Sequence, residues 1–264
     1  KLCAIGELND FKPSERYGLT DMGDLEPIGP DGKIKHGGLK ERKAVNRLDT
    51  FGKVFVLTRQ MLIDDDLHAF LRIPEMMGAR AARKVDSAFI QRLLANPGGL
   101  FSSEHKNLLT GADSALSPDS LAKAIQLFAE QTDDDGQPLN LQPKYLLVPP
   151  SLKMTAREIL HSTSYLAVGA TNRQRIPIYN ALADEDLEIV VSPWLSNSRM
   201  PGASDKHWYL FGDPALIDTF ELGFLRGARE PEVSQGKVSA DCLGMGFRTI
   251  FDFGIREMDF RGMV

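Results

Sequence analysis

The sequence predicts an α+β fold in which a projecting β-hairpin, one long helix and a compact helix–strand unit share the chain. Three observations predict it. The turn sequence Gly29-Pro30-Asp31-Gly32, with Gly37 and Gly38 close behind, has strand-like residues on both sides. Beyond Asp66, apolar residues recur at spacings of three, four and seven, the mark of one helix face. Near the C-terminus, Phe247, Thr249, Phe251, Phe253 and Ile255 alternate with polar residues that include Arg248, Asp252 and Arg256, as in a half-buried strand.

Taken in order, the first 16 residues show little periodicity and read as an extended arm. Residues 17–58 read as a long hairpin with a loose tip near 29–38. Its inner part, Val54 to Leu57, is apolar on both faces and should anchor in a core. Its outer part is basic: Lys33, Lys35, Lys40, Arg42, Lys43 and Arg47 stand against only Glu41 and Asp49. A two-stranded ribbon is marginal in water, so it needs another surface to lie on. The basic residues suit docking on an acidic neighbouring protein. Two other readings stay open, an edge guarded by lysines and a nucleic-acid-binding ribbon. The ribbon would lack stacking platforms, since no aromatic lies between Tyr17 and Phe51.

Asp64, Asp65 and Asp66 stand at the joint between this segment and the long helix. Asp65 or Asp66 suits the N-cap, where free N–H groups and the positive dipole end gather. The helix face runs through Leu67, Phe70, Leu71, Met77, Ala81, Val85, Ala88, Phe89 and Leu93, and Asn96-Pro97-Gly98-Gly99 stops it. Pro74 either kinks the helix or marks its true start. Gly78, Ala79, Ala81 and Ala82 would let another backbone approach closely. A second helix over 117–131 has Ser117 as cap and Pro118 in its first turn. Residues 143–150 read as a short buried strand, 151–161 as a third helix, and 186–195 and 207–214 as further strands.

The chain has 264 residues, a net charge of −5 and 42% apolar residues, which fits a folded domain or two. No run of about 20 apolar residues suggests a membrane span. Cys3 and Cys242 read as two separate thiols of a reducing compartment, with a disulfide between them as the alternative. Catalytic patterns are missing: there is no nucleophile elbow, phosphate-binding loop or zinc-protease motif. Glu158 and His161 have the spacing of one half of a di-iron site, which needs two. Residues 133–142 resemble a calcium loop but offer Gln131 and Gln142 at its first and last ligand positions. Ser103-Glu104-His105 reads as a polar loop. The sequence therefore predicts no enzyme, no cofactor and no metal.

The order of elements, with the stretches FGKVFVLTRQMLIDDDLHAF, GQPLNLQPKYLLVPPSL and LEIVVSPWL, resembles the major capsid proteins of tailed bacteriophages, in particular a subgroup encoded fused to or beside a prohead protease. The resemblance covers most of the chain. It implies an N-arm at 1–16, an extended loop at 17–58, a peripheral domain with its spine helix at 59–112, an axial domain at 113–217, and return strands of the peripheral domain at 218–264. It implies a structural subunit that self-assembles as pentamers and hexamers into an icosahedral head around double-stranded DNA, without specific DNA binding and without a membrane. The implied location is the virion, with assembly in the host bacterial cytoplasm. A scaffold segment, a maturation protease, a portal and decoration proteins are the implied further partners, and a start other than Met fits removal of a leading segment. Some family members cross-link a loop lysine to a neighbour's asparagine, but no motif here selects a lysine. Rival readings are an encapsulin-like compartment shell, a hydrolase using His105 or His161, and the β-ribbon nucleic-acid binder.

Overall fold

The protein was analysed as a computed structural model, which describes residues 1–21, 40–64, 72–111, 114–134, 136–168, 175–237 and 244–264. Among them are twelve strands and four α-helices.

The first sheet holds β1 (Ala4–Leu8), β4 (Asp49–Thr58), β10 (Phe220–Leu225), β11 (Glu232–Lys237) and β12 (Gly244–Glu257). The 14-residue β12 organises it. Residues 244–253 of β12 pair antiparallel with β4, 245–250 with β11 and 253–257 with β10; β1 joins β10 in parallel. The predicted alternation holds: Phe247, Thr249, Phe251 and Phe253 are buried and Arg248 is exposed. Residues 4–8, expected within an arm, are thus a sheet strand. Leu2 just before them is buried in the main core, so backbone pairing and an apolar anchor hold the segment down.

β2 (Ser14–Asp21) and β3 (Lys40–Asn46) form a separate antiparallel ladder. The expected hairpin over 17–58 is therefore divided. Its paired part ends at Asn46, and residues 49–58 leave it to pair with β12. The cause is apolar burial at two points of β4: Leu57 is fully buried beside Ile73 and Phe247, and Phe51 stacks on Phe253 with 4.5 Å between ring centroids, whereas Val54, Phe55 and Val56, expected in a core with Leu57, are exposed. These contacts exist only in the sheet. The expected tip at 29–38 lies outside the described residues.

A short helix, α1 (Arg59–Ile63), follows β4, with Thr58 as its cap. Asp64 closes it at the C-terminal end, where an acidic residue gains nothing from the dipole. Asp65 and Asp66, with Leu67, Phe70 and Leu71, lie outside the described residues. The long helix α2 spans Ile73–Ala95, with Pro74 in its first turn and left-handed Asn96 as its C-cap. The described helix thus starts at Ile73, with Pro74 marking its first turn and not a kink. Its face is as predicted. Met77 packs with Leu57 and Phe247; Ala81, Val85 and Ala88 with the phenylalanines of the sheet; Phe89 and Leu93, with Ile90, enter the main core. A β-carbon at Gly78 would meet nothing within 4 Å, so among the described residues no backbone approaches there.

The second sheet orders β8 (Glu188–Val191), β5 (Pro143–Val148) and β9 (Tyr209–Gly212). Tyr145, Leu147 and Phe211 face α2, while Leu146, Val148 and Leu210 face α3 (Pro118–Ala129) and α4 (Lys153–His161). Burial on both sides explains the unbroken apolar run of β5. Ser117 caps α3 through a reciprocal pair of hydrogen bonds with Ser120. The expected strands at 186–195 and 207–214 are shorter than predicted, because Pro193 turns the first into a 3-10 helix. The third helix starts at Lys153, after a 3-10 turn at Pro150–Leu152. A hairpin of β6 (Ser164–Val168) and β7 (Arg175–Tyr179), not anticipated, follows α4. The C-terminus crosses to this second unit: Val264 exchanges backbone hydrogen bonds with Leu210, and Met263 is fully buried.

Where β3 turns into β4 the chain crosses the sheet at Gly254. A β-carbon there would stand 2.1 Å from the Arg47 carbonyl oxygen, a backbone atom that cannot yield locally. Gly254→Ala should cost about 1–3 kcal/mol, read from chemical denaturation. Arg92 of α2 donates from Nε and Nη2 to both oxygens of Glu257, each at 2.8 Å. Burial pushes the Glu257 carboxyl up, but the Arg92 guanidinium outweighs it, and the group lies below its ordinary range. Its stabilisation is present above the ordinary glutamate range and lost as pH falls through the lowered value. Arg92→Ala should lower stability by about 1–2 kcal/mol at pH 7 and by little at pH 2, read from paired denaturation curves. Burial also pushes the Cys3 thiol up to about 12. Peptide mapping after alkylation at pH 8 should find Cys3, which is partly buried, modified far more slowly in the native protein than once unfolded.

Candidate assembly interface

Among the described residues, the β2–β3 ladder meets the rest of the subunit near its base, through Arg16 and Asn46. One face carries Glu15, Tyr17, Lys43 and Val45, all exposed, with Tyr17 and Val45 showing 55% and 43% of their surface. The other face turns Arg16 and Asn46 toward the sheet. Arg16 binds Glu221 of β10 and the Glu7 carbonyl, and Asn46 is fully buried.

The six basic residues predicted for docking fall into different situations. Lys33 and Lys35 lie outside the described residues. Lys40 and Arg42 belong to β3, opposite Asp21 and Gly18. Lys43 forms an ion pair with Glu15 across the ladder, which raises the lysine pKa and lowers that of the glutamate. Part of the hairpin's positive charge is thus answered within its own ladder. Arg47 is exposed in the turn to β4.

Apolar exposure was the feature that charge counting missed. On β4, Val54 shows 59% of its surface, and Phe55 and Val56 are also exposed. Met61, Ile63 and Met76 continue the exposure on α1 and α2. Register explains part of this: Val54 and Val56 pair with Arg248 and Gly246, on the sheet face away from α2. The unbroken apolar run at 54–57 was the available signal, but it reads equally well as a strand buried on both faces.

The residues weighed for chemistry are engaged otherwise. The His105 ring stacks on Phe260 at 3.7 Å and lies 3.2 Å from the Leu100 carbonyl through Nδ1. His161 ends α4 and is exposed. In the loop that resembled a calcium site, Asp133 accepts from the Gln137 backbone and Asp134 pairs with the buried Arg261. Among the described residues no group of three or more metal-binding side chains comes together, and no helix is long and apolar enough to cross a membrane. Cys3 is a free thiol; Cys242 lies outside the described residues.

Solved structures show the same fold. The capsid of the cyanophage P-SCSP1u aligns with a TM-score of 0.57 at 13% identity, over 99% of this chain and 85% of that one. The mature capsid of bacteriophage PhiM1 aligns at 0.58 and 11%, over 98% and 83%. The capsid of a native GTA particle aligns at 0.58 and 10%, over 99% and 86%. At such identities the likeness shows the fold alone. No curated protein matches the chain. The family model for phage capsid proteins matches residues 42–264, which include β4 to β12 and all four helices. The chain belongs to the phage capsid protein family, as a structural, non-enzymatic component of a virion shell.

Proposed function

We propose that this subunit forms pentamers and hexamers that close an icosahedral head around double-stranded DNA, and that its hairpin and the exposed side of β4 are buried on neighbouring copies. The observation that carries this reading is the outward face of the two-stranded ladder, which leaves Tyr17 and Val45 open to solvent. A ribbon of that kind gains its stability from a second surface. Exposed Val54, Phe55 and Val56 add apolar area that an isolated subunit leaves wet. Repetition of such contacts around five- and six-fold axes gives closed shells.

The docking role of Lys33, Lys35, Lys40, Arg42 and Arg47 belongs to this proposal, with Lys43 already paired to Glu15. So does the division into a peripheral unit, centred on α2 and the five-stranded sheet, and an axial unit over 113–217, centred on the three-stranded sheet. Assembly would take place in the host bacterial cytoplasm. A scaffold segment, a maturation protease, a portal and decoration proteins would be the further partners, with packaged DNA against the inner face.

Electron microscopy of the purified protein, with a co-expressed scaffold if one is required, should show hollow regular particles or capsomer rings. Val45→Asp with Val54→Asp should leave the circular dichroism spectrum and melting transition unchanged and abolish the particles. A wild-type protein that stays monomeric at high concentration under both conditions would overturn the proposal, as would particles undiminished in the double variant.

A further inference from the structure

The hairpin has two kinds of anchor at its base, and they do different work. The first is a seat. Asn46 and Leu48 are buried to within 1% of their surface; the Arg47 backbone between them lies close over Gly254, and the Asn46 side chain over Gly223. The Asn46 Oδ1 accepts only from the next backbone N–H, that of Arg47, and its Nδ2 donor has no partner among the described residues. The seat therefore holds by packing. Packing resists separation but does little to fix a direction.

The second anchor is directional. Arg16 Nε lies 3.2 and 3.1 Å from the two Glu221 oxygens, and Nη2 lies 3.0 Å from Oε1 and 2.8 Å from the Glu7 carbonyl oxygen. Arg16 belongs to β2, Glu221 to β10 and Glu7 to β1, so a single guanidinium joins the ladder to two strands of the sheet. A planar fork with several fixed donors sets orientation as well as distance. Glu221 is itself held: its side chain is 10% exposed and lies over Gly6, where a β-carbon would stand 2.1 Å from Oε1. Only glycine at that position leaves room for the carboxylate.

We propose that the Arg16–Glu221 pair is a latch that sets the angle at which the β2–β3 hairpin leaves the sheet, and that breaking it frees the hairpin to pivot on the Asn46–Leu48 seat. The lever is long enough for this to matter. A seven-residue strand such as β3 is about 23 Å long, so a tilt of about ten degrees at the base moves its far end by about 4 Å. Shifts of that size change which residues of a neighbour the hairpin would meet.

The test is a distance measured within one subunit. Spin labels are placed at Val45→Cys on the hairpin and Glu232→Cys on β11, in the full chain carrying Cys3→Ser and Cys242→Ser and diluted with unlabelled protein. With Arg16 and Glu221 intact, pulsed dipolar spectroscopy should give one narrow distance. Arg16→Ala and Glu221→Gln should each lose it and give a broad distribution; Arg16→Lys, which keeps the charge without the fork, should broaden it less. Unchanged distributions in both Arg16→Ala and Glu221→Gln would overturn the proposal. It would equally be overturned if the narrow distance were lost only together with the melting transition, because the pair would then hold the fold and not the angle. The distance is read in one subunit at a time, so its result is separate from whether shells form.

Discussion

The structure depends on one helix having a single apolar face and two sheets to cover. At 23 residues α2 is about 35 Å long, more than the width of either sheet. Its first two-thirds rest on the five-stranded sheet through Met77, Ala81, Val85 and Ala88. Its last third delivers Phe89, Ile90 and Leu93 to a core shared with Tyr145, Leu147 and Phe211 of the other sheet. Phe89 meets Phe220 edge to face at 5.2 Å, so the two units touch through the same residue that anchors the helix. The buried chain ends strengthen the join, with Leu2 in this core and Val264 bonded to Leu210.

Against that consolidated body, the hairpin is conspicuous for what it lacks. Among the described residues its ladder shows backbone pairing and one internal ion pair, Glu15 with Lys43, and its outward face leaves Tyr17 and Val45 exposed. Exposed ion pairs add little stability. The sheet ends in the same way along β4, where Val54 and Val56 face away from α2. A protein meant to stay single would cover or charge such an edge. In a shell protein the exposure has a use, since what one copy leaves open is what the next can cover.

Charge has a more local role here than its clustering suggests. The basic strand looks in sequence like a surface waiting for an acidic partner. In the fold, Arg16 is answered by Glu221 and Lys43 by Glu15, both within the chain. Each pair joins segments that charge counting along the sequence cannot connect, and the first joins residues 205 positions apart.

The local elements follow from near neighbours along the chain. The face of α2 from Met77 to Leu93, the cap at Ser117, the buried run of β5 and the alternation of β12 all follow from side-chain periodicity and turn chemistry, which act over a few residues. The family resemblance was legible in the same way, as an order of elements. Tertiary structure alone decided the pairings. That Ala4–Leu8 is a strand depends on β10, more than two hundred residues away, offering it a parallel edge. That residues 49–58 leave the hairpin depends on β12 offering Phe51 and Leu57 a better-buried place than β2 could. Arg16 and Glu221 became a site only through the same folding. Periodicity reports which face of a segment is apolar; which partner covers that face is settled by competition among distant segments for the same buried area.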